Sequence, residues 1–349
     1  MLKQATTRLF SLALGLLLLA STAWAALPDD KLIDDGSRKL EAGDAKGAID
    51  DFQHAAEKAP RDPRAHYLRA VALQKLNDPA GAEEAFKKAL ALDPKLAEVR
   101  NELGALYTER KRFPEAVTEL KHALADKPDL PEAWYNLGQA LLASQKQCGD
   151  AVAAFKHVTQ LSPGEADGFI NLSVAQRKCG KLPDAKASAS QAVKVAPKIP
   201  QARVNLGLVL QDLGDLDGAQ ASFTVATQLK PDYATAWWSL GLVELKRKKA
   251  DAAVQALTRA RELSPTPARI ADLGVAYRDK GEFAKAEALF REALAKEPRY
   301  LPARWHLAQT LAATGRCADL GGELAALPAA EGKSEAAVKL KENCRTAKK

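Results

Sequence analysis

The feature that most constrains this chain is a motif that returns every 34 residues. Aligned on alanine, a large apolar residue, alanine and proline, it reads Ala48, Phe52, Ala55, Pro60, then Ala82, Phe86, Ala89, Pro94, then Ala116, Leu120, Ala123, Pro128. The best-kept copy runs over 200–231. Leu206, Gly207 and Leu210 share one face of a helix, and Gly214 and Asp215 interrupt it; Ala219, Phe223 and Ala226 share one face of a second helix that Pro231 stops. Each copy is thus a helical hairpin with two apolar faces, stable only between neighbours, so the 349 residues are not divided by length into separate globules. With 47% apolar residues but only 6% aromatic ones, the composition suits helices packed closely through small side chains.

The copies differ in instructive ways. The fourth begins Trp134, Leu137, Gly138, Leu141 and takes 35 residues to reach Pro163, with an insertion near Cys148. In the fifth, Ser173 replaces the glycine and Ala189 the large residue. The ninth keeps Leu307, Ala308 and Leu311 but turns to Leu320, Leu324 and Leu327, reading as a capping unit before an amphipathic helix over 334–344. Small residues at the eighth position (Gly104, Gly138, Gly207, Gly241, Gly274) are expected to let the two helices approach, and the large twenty-fourth residue to fill the gap between hairpins. Gly43, Gly149, Gly214 and Gly281, each followed by an acid, are expected to supply the left-handed residue of the turn.

A 34-residue helix-turn-helix with W-x2-L-G-x2-Y, then A-x3-F and P, resembles the tetratricopeptide repeat family over residues 29–327. The resemblance implies an all-α fold: a right-handed α-solenoid, or superhelix, of about nine hairpins with one concave face and a C-terminal capping helix. The expected organisation is a signal peptide over 1–25, the solenoid over 26–330 with its last repeat degenerate, and a capping helix with a basic tail over 331–349.

The leader has Lys3 and Arg8 before an apolar run from Leu9 to Ala20 and the small-residue pattern Ala23-Trp24-Ala25, which reads as a secretory signal cut after Ala25 or Ala26. The expected location is periplasmic or secreted; if the segment stays uncleaved, residues 9–26 anchor the chain to a membrane. Export removes nucleic acid as a partner, and the net charge of +7 is spread over many repeats rather than gathered. Four cysteines in such a chain point to disulfides. Cys148 and Cys179 fall on one edge of adjacent repeats, while Cys317 opens the last turn and Cys344 lies in the terminal helix, giving Cys148–Cys179 and Cys317–Cys344 as the expected pairs.

No catalytic constellation is present: there is no H-E-x-x-H, G-x-S-x-G or C-x-x-C, and Gly332-Lys333-Ser334 lacks the glycine a phosphate loop needs five residues earlier. The chain is expected to be no enzyme and to need no cofactor or metal. His54, His122 and His157 share a repeat position but sit one hairpin apart, too far for one ion. The signal with a mechanism is Asn136, Asn171 and Asn205, at the sixth position of three consecutive first helices, flanked there by Glu102, Ser239 and Asp272. A side-chain amide carries a donor and an acceptor and can pair with a peptide unit whatever its side chain. The family resemblance implies that this position faces the concave groove, so the expected peptide-binding residues are Asn136, Asn171, Asn205, Glu102, Asp272 and Trp238. Trp134 and Trp237 are expected to pack, and the run from Lys246 to Lys249 to be solvated. The expected function is an exported scaffold that binds a protein or peptide segment in its groove and assembles an envelope complex. The alternative is an accessory protein that binds envelope polysaccharide or cell wall, for which Trp238 and the basic residues would line the groove together.

Overall fold

The computed structural model describes residues 30–144 and 148–346, so the leader and the last three residues of the basic tail lie outside the described residues. Among those described there are helices and turns and no strand. The chain divides into two compact units, 1–145 and 146–349. In unit 1, α1 (Asp30–Glu41) pairs with α2 (Ala45–Lys58), α3 (Pro63–Lys75) with α4 (Pro79–Leu92), and α5 (Ala97–Glu109) with α6 (Phe113–Asp126), before α7 (Pro131–Ala143). Unit 2 opens with α8 (Cys148–Leu161). It continues as the hairpins α9 (Ala166–Lys178) and α10 (Leu182–Val195), α11 (Pro200–Asp212) and α12 (Leu216–Leu229), and α13 (Ala234–Lys246) and α14 (Ala250–Leu263). It ends with α15 (Pro267–Asp279) and α16 (Phe283–Lys296), α17 (Leu301–Ala313) and α18 (Cys317–Ala325), the short α19 (Ala329–Gly332), and α20 (Glu335–Thr346), which packs on α17 and α18. Within each unit this is the stacking of an α-solenoid. No helix among the described residues is long and apolar enough to cross a membrane.

The core of each hairpin is a contact between the eighth position and the residue sixteen further on. A Cβ built on Gly207 would lie 2.5 Å from Cε1 of Phe223, and one on Gly104 would lie 2.5 Å from Cγ of Leu120. Gly36 faces Phe52, Gly241 faces Leu257 and Gly274 faces Phe290 in the same way. The large residue therefore fills a gap inside its own hairpin, where the sequence pattern had suggested the space between hairpins. All five partners are fully buried, each contributing about 1.5–3 kcal/mol of apolar transfer.

The turns follow one backbone recipe with different residues. Gly43, Gly214 and Gly281 adopt positive φ as expected, and Gly180 and Gly315 do the same, but Asn77, Lys111 and Lys248 take the position at φ near 60° without glycine. Gly149 is not a turn residue; it lies in the first turn of α8, which starts at Cys148. The second helices α2, α4 and α12 are capped by Asp44, Asp78 and Asp215, whose carboxylates accept from the backbone N–H three residues on at 2.9–3.0 Å.

Two further devices set hairpin against hairpin. In four hairpins the fourth residue of the first helix reaches back to the carbonyl of the proline that follows the preceding second helix. Trp134 Nε1 donates to Pro128 O at 2.8 Å, Trp237 Nε1 to Pro231 O at 2.9 Å, Arg100 Nε to Pro94 O at 3.0 Å and Arg304 Nη2 to Pro298 O at 2.9 Å. Salt bridges then join four of the turns to the preceding second helix: Arg112 to Glu83 at 2.8 Å, Arg247 to Asp217 at 2.7 Å, Lys280 to Asp251 at 3.0 Å and Arg316 to Glu287 at 2.6 Å. Arg247 is accordingly half-buried and also bound to Glu244, unlike its exposed neighbours Lys246, Lys248 and Lys249, so the basic run is not solvated throughout.

Disulfides join Cys148 to Cys179 and Cys317 to Cys344, each with 5.6 Å between α-carbons. The first ties the start of α8 to the end of α9; the second holds α20 at the start of α18, with Cys344 fully buried.

Candidate protein-binding face

The first helices of neighbouring hairpins meet in a fixed register, the fifth residue of one against the sixth of the next. In unit 1 the pair is Asn101 on α5 and Asn136 on α7, with Asn136 Nδ2 donating to Asn101 Oδ1 at 2.9 Å. In unit 2 it is Trp238 on α13 and Asp272 on α15, with the indole N–H donating to Oδ2 at 2.7 Å. This register explains how the sequence-derived candidates differ. Asn136 is bound by Asn101, a buried residue that the sequence pattern missed because its column otherwise holds aromatic or aliphatic residues. Asn171, on α9, donates to its own helix at Asp167 O, 2.8 Å away.

Asn205, on α11, is different again. It is 5% exposed, and neither Nδ2 nor Oδ1 has a hydrogen-bond partner among the described residues. The residue at the facing register position is Ile170, which has no polar atom to offer. A buried amide left unpaired costs about 1–3 kcal/mol per group, so its retention calls for an explanation. Beyond Asn205 the sixth position becomes Ser239, also buried, and then Asp272.

Around Asp272 the side chains satisfy one another. The Arg269 guanidinium lies 5.6 Å from the Trp238 ring centroid, so Trp238 is half-buried with its N–H and ring both engaged. Burial pushes the Asp272 carboxyl above the usual range, and the Trp238 N–H opposes this. One turn further along, Arg278 donates to Gln309 Oε1 at 2.6 Å and contacts His306 Nδ1 at 3.2 Å, and burial holds His306 below the ordinary imidazole value.

Glu102, on α5, is half-buried and accepts from Asn101 Nδ2 at 3.4 Å. Burial, with Glu109 and Glu132 adding, pushes its carboxyl up to about 7. Unit 1 therefore carries Glu102 and Asn136, and unit 2 carries Asn171, Asn205, Trp238 and Asp272. His54, His122 and His157 are exposed on second helices, and no group of three or more potential metal ligands occurs among the described residues.

Comparison with known proteins agrees with this architecture. Models described as tetratricopeptide repeat match residues 63–96, 171–221, 205–266 and 277–344, and one described as TPR repeat matches 104–145. The type IV pilus assembly protein PilF of Pseudomonas aeruginosa is 34% identical over 119 residues, 34% of this chain and 47% of that protein. The cellulose synthase operon protein C of Xanthomonas axonopodis pv. citri is 30% identical over 157 residues, 42% of this chain and 10% of that protein. The chain thus spans less than half the length of either curated relative. A tetratricopeptide repeat protein from Parabacteroides merdae superposes with a TM-score of 0.59 at 14% identity, over 72% of this chain and 99% of that one.

Proposed function

The chain belongs to the tetratricopeptide repeat family, and from that premise we propose that it is an exported, non-catalytic scaffold that holds an extended segment of a partner protein on the first-helix face of unit 2. The observation that carries this reading is Asn205, whose amide has both a donor and an acceptor unused in a buried position. A peptide backbone supplies the complementary pair, and a side chain that weakens the free protein while matching a partner is what a binding position costs. Asn171 lies one hairpin before it and Trp238 one hairpin after, so a segment crossing α9, α11 and α13 passes all three positions.

Export is supported by the two disulfides, which persist in oxidising compartments, and by the leader-like residues 1–25. A place in assembling an envelope complex follows the pilus-assembly name of one relative. The polysaccharide reading is less well supported, because Trp238 has its ring under Arg269 and its N–H on Asp272, while Arg247 of the basic run is bound to Asp217.

The test is to select peptides from a random library on the immobilised chain, titrate them in solution by fluorescence anisotropy, and repeat with Asn205→Leu. Loss of about tenfold in affinity, with a folded and thermally stronger variant, is expected for an amide that pairs with the ligand. Unchanged affinity in the variant, or binding to purified cell-wall glycan with no peptide selected, overturns the reading.

A further inference from the structure

Unit 1 presents a second arrangement on its first-helix face that the reading of unit 2 does not use. Tyr67 is the fifth residue of α3 and Glu102 the sixth of α5, the register in which Asn101 meets Asn136 and Trp238 meets Asp272. Tyr67 is 6% exposed, with its ring 6.1 Å from that of Phe86, and its hydroxyl makes no hydrogen bond among the described residues. Glu102 is oriented from the other side, since Asn136 donates to Asn101 and Asn101 donates to Glu102, which fixes the amide between them. That bond uses one of roughly four acceptor positions on the carboxylate.

The surroundings are short of positive charge. Glu98 and Glu109 lie on the same side of α5 as Glu102, and Glu132 stands on α7. Lys127, before α7, is engaged by Glu98 at 2.8 Å. The Tyr67 hydroxyl is pushed above its ordinary range by burial, with Glu102 and Glu98 adding. A cation that reached Glu102 would offset burial and like charge together and could also donate to the Tyr67 oxygen.

We infer that this is a subsite for a basic side chain of a partner protein, in which the Glu102 carboxylate, set by Asn101 and with Tyr67 at the corresponding register position of α3, takes a lysine ammonium or an arginine guanidinium. A side chain fits better than a metal ion, because no metal-holding group of three or more residues occurs among the described residues. The subsite stands in the other unit and does not involve Asn205, so its failure leaves the reading of unit 2 untouched.

The groups that titrate around it are Glu98 and Glu109 on its own helix, Tyr67 from α3, Glu132 from α7 and the Lys127 ammonium. Because the ionised carboxylate is the binding form, affinity falls as pH drops through about 7. The test is fluorescence anisotropy of labelled hexalysine, with acetyl-lysine hexapeptide as control, against the full chain, Glu102→Gln, Tyr67→Phe and Glu84→Gln. Glu84 is exposed on α4 and paired with Lys88, so it removes the same charge outside the subsite. Glu102→Gln keeps an acceptor for Asn101 and should weaken hexalysine about tenfold at pH 8, while Glu84→Gln changes it less than twofold and Tyr67→Phe has an intermediate effect. Lowering the pH from 8 to 6 should weaken wild type and leave Glu102→Gln flat. Equal losses in Glu102→Gln and Glu84→Gln, equal binding of the acetylated peptide, or no binding to wild type at pH 8 would each overturn the inference.

Discussion

Ser173 and Ala189 hold the two positions of their hairpin where five other hairpins set a glycine against phenylalanine or leucine, and the Ser173 hydroxyl donates across the hairpin to Ala185 O at 2.8 Å. Both residues are buried, so the pair exchanges size rather than leaving the hairpin loose: the serine occupies space that a glycine would cede to a ring, and its hydroxyl is satisfied across the helix pair. The two substitutions should therefore be coupled. Ala189→Phe alone overpacks the site and should cost about 1–3 kcal/mol. Adding Ser173→Gly should recover about 1–2 kcal/mol of that loss in a double-mutant cycle read by urea unfolding. Additive losses would mean that the two residues do not share one space.

The same logic fixes the sign at Gly207. A Cβ there stands 2.5 Å from the Phe223 ring, which is enclosed on all sides and cannot swing away as an exposed side chain would. Gly207→Ala should lower stability by about 1–3 kcal/mol through overpacking, even though alanine is the better helix former by about 1 kcal/mol. A rise in the melting temperature would show that propensity outweighs the contact.

Asn205→Leu should move stability the other way. Replacing two unpaired buried polar atoms by an apolar side chain of similar volume removes a penalty of about 1–3 kcal/mol per group. Differential scanning calorimetry on the free chain should show a higher melting temperature, which separates this position from Gly207, where every larger residue loses.

The period, the hairpins and their order were legible because alanine, phenylalanine and proline act through local rules of helix packing and termination. The turns were legible only in part. Gly149 has the Gly-Asp pattern yet sits inside α8, whereas Lys111 and Lys248 adopt the left-handed conformation with no glycine to announce it. The face was less legible still. Asn136 could be picked out by its column, but its partner Asn101 is 35 residues away in a column that otherwise holds aromatic or aliphatic residues. Spacing within one hairpin says nothing about which fifth residue meets which sixth, and that register decides whether an asparagine is paired, as at Asn136, or orphaned, as at Asn205.

The disulfides give a test that does not depend on any ligand. Cys148–Cys179 and Cys317–Cys344 are separated by 31 and 27 residues, and each ties the start of one helix to the end or body of another. Closing loops of that size stabilises a fold by about 2–4 kcal/mol. The double substitution Cys317→Ser with Cys344→Ser should release α20, seen as faster amide exchange in α17, α18 and α20, with less change in α11 and α12. Uniform exchange across the chain would show that the bridge adds nothing local.

The raised carboxyl of Glu102 predicts the direction of a stability change with pH. Its folded value of about 7 lies above the ordinary 4.5, so the native state holds a proton that the unfolded state has released across that interval. Fewer protons bound in the unfolded state means that stability falls as pH rises from about 4.5 to about 7, and the loss is complete above 7. Glutamine at this position has no charge to bury and still accepts from Asn101. Melting curves of wild type and Glu102→Gln should therefore nearly coincide at pH 4.5 and separate by pH 8, with the variant higher. If the two curves kept a constant spacing across that range, Glu102 would not be the group that titrates, and the burial assigned to its carboxylate would be wrong.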